Sequence, residues 1–176
     1  MFDLIGGLPV HVLVLHVYVV LGPIAALATL VYLFRPVWRR VLRWPVGVLA
    51  VVAGVSGLVT KESGEQLAHR LVPDLESAST RASGDPHVQA VLDHAQSGDL
   101  AGAVGLVFMV ATLIAVVWAV RDQSDSIFGG LMTSTVVTLV AISSVALVGS
   151  VFFAGHSGVT AAWGNVIAAT ATPGGN

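Results

Sequence analysis

Six histidines and two glutamates carry most of the chemistry this chain offers: His11, His16, His69, His87, His94 and His156, with Glu62 and Glu65. Imidazole and carboxylate together are the donors that zinc, iron and copper accept. The chain has no cysteine, which excludes disulfides, thiolate nucleophiles, Cys-ligated zinc, iron–sulfur clusters and covalently attached c-type haem. A b-type haem remains open, because it asks only for one or two axial histidines. Spacing narrows the combinations. His11 and His16 are five residues apart, about 140° around a helix at 100° per residue, so they do not chelate one ion as an i, i+4 pair does. His87 and His94 share a helical face. Glu62, Glu65 and His69 share another, at i, i+3 and i+7. Below His94 its face continues as Gly98, Gly102 and Gly105, a groove of missing side chains.

The elements that must position these residues follow from composition. Of 176 residues, 55% are hydrophobic and 10% charged, against about 25% charged in soluble domains. This is the composition of an integral membrane protein. No Asp, Glu, Lys or Arg occurs over 4–34, 44–60, 100–120 or 126–176. A bilayer-crossing helix needs about 20 apolar residues, which predicts spans near 11–34, 45–62, 100–120 and 129–155. The expected fold is an all-α, up-and-down four-helix transmembrane bundle forming one domain over 1–176. Span two is expected to continue past Lys61 as helix over 61–70. Asp85-Pro86 reads as an N-cap with Pro at the first helical position, starting a helix that runs through His94 into span three. The end of the chain, 170–176, reads as a frayed tail. With Asp3 the only early charge, the first apolar run is not expected to be a signal peptide.

Loop charge predicts orientation. Residues 35–43 hold Arg35, Arg39, Arg40 and Arg43 without an acid; 61–99 hold three basic and seven acidic residues. Positive loops stay cytoplasmic. This places both termini and the long external segment, about 63–99, outside a multi-pass plasma-membrane protein. Trp38, Trp44 and Trp118 mark the inner interface and Trp163 the outer. On this topology all six histidines fall at or beyond the outer half. His16 lies deepest, where a polar side chain is costly unless partnered.

Four segments in order resemble a known family: Gly7-Leu8-Pro9-Val10-His11 followed by His16 and Pro23; Glu62-Ser63-Gly64-Glu65-Gln66-Leu67; His94-Ala95-Gln96-Ser97-Gly98-Asp99; and Gly155-His156-Ser157-Gly158 through Ala162-Trp163. Nearly the whole chain is similar to the predicted membrane proteins of the domain-of-unknown-function 2231 family, in its actinobacterial form. The resemblance implies a four-helix integral membrane protein. Members of the family occur fused to c-type cytochrome domains, a setting that implies redox work. Many begin with a His-Pro-x-x-x-His arrangement. Here Pro9 precedes His11, and the two histidines are five apart.

Three functions of different classes fit these residues. The first is a b-type haem electron carrier near the outer face. His16 and His94, from diagonal spans, would be the axial ligands and the Gly98/Gly102/Gly105 groove would flank the ring. His156 and His11 are the substitute ligands, or hold propionates, and the partner would be an extracytoplasmic protein or quinol. The second is a non-haem site for a divalent metal ion built from Glu62, Glu65, His69, His94 and His156. The third is a structural subunit of a larger respiratory or transport complex, with the histidines partnered by backbone and lipid headgroups and the glycines read as small residues that let helices pack closely. The net charge of −2 argues against nucleic acid as a partner. Ser157 beside His156 lacks a nucleophile elbow, and no broken-helix repeat of a transporter is evident.

Overall fold

The computed structural model describes residues 4–5, 8–72, 77, 84–121 and 127–171. Four long helices make the fold: α1 (Val10–Phe34), α2 (Arg39–Leu71), α3 (Pro86–Arg121) and α4 (Ile127–Ala171). A two-residue antiparallel ladder, Leu4–Ile5 with Leu8–Pro9, precedes α1. All four helices are long and apolar enough to cross a membrane. Each packs against the next in sequence and α4 returns to α1, so α1 and α3 face each other across a diagonal.

The packing inverts that of a soluble bundle. Inward positions are small: Ala25, Ala26, Ala50, Ala53 and Ser144 are fully buried, with Phe108 and Leu147 the largest side chains among them. The bulky residues point away, with Leu27 65% and Val145 67% exposed. Lipid tails are as apolar as leucine, so helices in a bilayer associate through close contact between small residues, and large ones are left to face lipid. At the α1–α2 turn, Arg39 donates from Nε and Nη2 to the Tyr32 and Leu33 carbonyls at 3.2 and 2.8 Å, closing the C-terminal end of α1.

Both expected helical extensions are present. α2 runs past Lys61 to Leu71, and α3 starts at Pro86, where an Asp85 carboxylate oxygen accepts from the His87 amide at 2.8 Å. At about 1.5 Å per residue the 33 residues of α2 and 36 of α3 reach roughly 50 Å, against a hydrocarbon core of about 30 Å. Beyond the bundle proper, Ala68, Val72 and Val91 form a small separate core that ties the extensions together. The fourth helix differs from expectation: it does not stop near 155 but continues through Gly155, His156 and Gly158 to Ala171. Glycine is common inside membrane helices, and Gly84 alone among the described glycines has a positive φ. Residues 172–176 of the expected tail lie outside the described residues.

Candidate functional site

At the end of the bundle that carries the histidines, α1 and α3 each turn one imidazole inward. The rings of His11 and His94 meet edge to face, with centroids 6.1 Å apart and planes at 79°. His11 Nδ1 lies 2.9 Å from the Thr60 carbonyl oxygen. A carbonyl only accepts, so Nδ1 carries the proton and donates, and the Nε2 lone pair is left available. His94 reaches the same state by another route. Ser157 Oγ donates to the Ala154 carbonyl at 3.0 Å, so it accepts from His94 Nδ1–H at 3.2 Å. Two glycines make room for the rings. A Cβ on Gly64 would stand 2.9 Å from His11 Cε1, and one on Gly158 the same distance from His94 Cε1. Each imidazole is therefore seated against the bare backbone of a neighbouring helix.

All four helices supply this end, and they do so as two copies of one pattern. α1 and α3 both read His-x10-Gly-x5-Ala-Thr-Leu, from His11 to Leu30 and from His94 to Leu113. α2 and α4 both read Ser-x6-Ser-Gly-x3-Ala, from Ser56 to Ala68 and from Ser150 to Ala162. The contacts repeat with the residues. His11 meets Thr60, Ser63 and Gly64; His94 meets Ser157 and Gly158, the counterparts of Ser63 and Gly64 in the second hairpin. The matched residues and contacts relate the two hairpins as an approximate pseudo-twofold pair, each supplying one of the two imidazoles. Such a repeat hides from a fixed-period search, because the offset is 83 residues for the first helix and 94 for the second. It repeats continuous helices, unlike the broken helices of transporters.

The bundle does not bring together the expected pair of His16 and His94. His16 is exposed, and its Nδ1 donates to the Val12 carbonyl of its own preceding turn at 2.5 Å. That local bond is what lets an imidazole sit at this depth without a partner from another helix. His156 is also exposed, lying parallel to the Phe152 ring with centroids 6.5 Å apart. His69 and His87 are exposed on the extensions of α2 and α3. Glu62 is exposed, and Glu65 accepts from Lys61 Nζ at 2.6 Å, while Lys61 also reaches Asp99 on α3 at 3.4 Å. The expected carboxylate and imidazole set of Glu62, Glu65, His69, His94 and His156 does not assemble. Among the described residues no three of His, Asp and Glu gather as ligands for one ion.

The glycine groove below His94 is in large part filled. Tyr18, one of the most buried residues, crosses the bundle and donates from its hydroxyl to the Ala101 carbonyl at 2.5 Å. Its ring occupies the space that Gly57 and Gly105 leave, and a Cβ on Gly105 would stand 2.8 Å from the hydroxyl. Gly102 packs against the Lys61 side chain and the Gly57 carbonyl. Gly98 alone of the three opens on free space, with nothing within 4 Å of a Cβ position. Tyr18 and Ser63 were not among the expected site residues. The signal for Tyr18 was its place seven residues after His11, on the same helical face.

The motifs that converge here are those of one family over most of the chain. Residues 7–171 match the model of the predicted membrane proteins of domain of unknown function 2231. The chain belongs to that family. It is a multi-pass membrane protein, by the family match and by its four membrane-length helices. No curated protein and no solved structure matches the chain.

Proposed function

We propose that His11 and His94 hold a metal-centred cofactor on the pseudo-twofold axis, that this cofactor is b-type haem, and that the protein carries electrons close to one membrane surface. The observation that carries the reading is the state of the two imidazoles. Each has its Nδ1 held by a backbone-anchored oxygen, which leaves Nε2 as the nitrogen for a ligand, the arrangement a metal-ligating histidine takes. The two rings come from diagonal helices and their centroids are 6.1 Å apart, a separation that a metal atom at about 2 Å from a ligating nitrogen could bridge once the rings turn toward it.

The donor count favours haem over a bare ion. Structural zinc and similar ions ask the protein for three or four ligands, and among the described residues two imidazoles approach each other without a third. Haem iron brings its own equatorial nitrogens and supplies a one-electron couple when bound. The chain's residues would orient the two axial rings through Thr60, Ser63 and Ser157, and the open side of Gly98 leaves room one helical turn below His94. Helix bundles place such sites between facing helices. The positive-inside rule favours a cytoplasmic location for the arginines of 35–43; on that orientation the site would lie toward the extracytoplasmic face and exchange electrons with a protein there or with quinol.

One spectrum tests this. The protein, purified in detergent from cells able to make haem, is expected to be red, with a sharp Soret band and a low-spin spectrum on reduction. Colourless protein carrying stoichiometric zinc, copper or iron would replace haem by a non-haem ion. Colourless, metal-free protein would overturn the ligand-site reading.

A further inference from the structure

The opposite end of the bundle carries a surface that the histidine site does not use. Arg35, Arg39, Arg40 and Arg43 cluster at the α1–α2 turn. Arg39 is committed to the carbonyls that end α1. Arg35 and Arg40 are exposed. Arg43 is half-buried, its guanidinium 5.3 Å from the centre of the Trp44 ring, and its Nε is buried without a hydrogen-bond partner. Among the described residues this end has no Asp or Glu; Asp122 and Asp125 lie outside them. The first turn of α2 has neither an acidic residue nor a side-chain cap, so the positive end of its dipole adds to the arginine charge. Interleaved with the arginines, Val37, Trp38, Val41 and Trp44 project outward, Val37 89% and Trp44 72% exposed.

Arg35, Arg40 and the half-buried Arg43 have no carboxylate at this end among the described residues, and charge-assisted pairing of Arg with phosphate is among the stronger hydrogen bonds. The exposed indoles of Trp38 and Trp44 call for the headgroup level of a bilayer, where such side chains collect, and the valines beside them for its apolar margin. Anionic lipid surfaces attract basic residues that flank a span. One ligand meets all three demands. We propose that this collar binds an anionic phospholipid, its phosphate at Arg43 with Arg35 and Arg40 around it, and its acyl chains along Val41 and Trp44. The proposal rests on the arginine end alone and is independent of what His11 and His94 hold.

The test uses the full chain, delipidated in detergent and titrated with short-chain phosphatidylglycerol or phosphatidylcholine. Bound lipid is counted by mass spectrometry of the intact complex. The parent is expected to retain phosphatidylglycerol in preference to phosphatidylcholine. Arg43→Gln should lower the phosphatidylglycerol affinity about tenfold, as fits the loss of one charge-assisted hydrogen bond. Arg43→Lys, which keeps charge but not the planar fork, should retain part of it. Arg70→Gln, an equal charge removal at the far end, should leave the preference unchanged. Unchanged helical circular dichroism establishes that each variant is folded. Equal binding of the two lipids by the parent, or the same preference in Arg43→Gln as in the parent, would overturn the proposal.

Discussion

An imidazole at the end of a membrane helix is held either by its own turn or by its neighbours, and α1 shows both. His16 bonds to Val12 four residues before it and faces outward. His11 bonds to Thr60 across an interface and faces inward. The residues that permit the inward placement are glycines. Gly64→Ala and Gly158→Ala each put a methyl group 2.9 Å from an imidazole carbon, an overpacking that costs typically about 1–3 kcal/mol. Each should lower the thermal midpoint and displace the adjacent ring. Gly149→Ala and Gly155→Ala meet nothing within 4 Å and should leave the midpoint unchanged or raise it; melting curves of the four variants check this. Which histidine faces inward was legible in the sequence. Since His11 and His16 are about 140° apart, only one of them faces the core. Stepping back from the buried face of Tyr18, Gly22, Ala25 and Thr29 lands on His11. Depth in the bilayer pointed to His16 instead, because it leaves out the bond a histidine makes to its own turn. The same stepping along Leu147, Val151 and Ala154 arrives at Ser157 and Gly158 and passes His156 by.

Among the helices, close approach is concentrated where glycine meets a large neighbour. Tyr18 bridges α1 to α3 through the gap left by Gly57 and Gly105. Tyr18→Phe removes one buried hydrogen bond and should cost about 1 kcal/mol. Gly105→Leu should cost more, since the ring beneath it has nowhere to go; comparing both midpoints with the parent's tests the order. Gly102→Leu should part α2 from α3, because Gly102 faces the Gly57 carbonyl as well as Lys61. Its expected signature is loss of stability, measurable even where no cofactor is bound. The Lys61–Asp99 bridge across this seam is half-exposed, so breaking it should change stability little, as for most solvent-screened pairs. The four helices were readable from the charge-free runs. Their ends were less so, since α4 outlasts the bilayer and its extension through Gly158 to Ala171 has no charge or breaker to mark where a span stops.

At the scale of the molecule, two similar hairpins stand side by side, one end basic and the other bearing the histidines. Orientation is tested by impermeant maleimide on intact cells. A cysteine at Ser79 is expected to react and one at Val41 to stay unlabelled, clean against a background that has no cysteine; the reverse pattern would invert the assignment. The pseudo-twofold arrangement makes a sharper demand. If one ligand sits on the axis, His11 and His94 must matter alike, and the outward histidines must not. The most direct measurement is the reduced visible spectrum of four variants, His11→Ala, His94→Ala, His16→Ala and His156→Ala, prepared alongside the parent. The first two are expected to lose the low-spin spectrum to a similar degree, each by removal of one axial nitrogen, while the last two match the parent. A low-spin spectrum that survives in His11→Ala or His94→Ala, or that disappears in His16→Ala, would contradict that expectation.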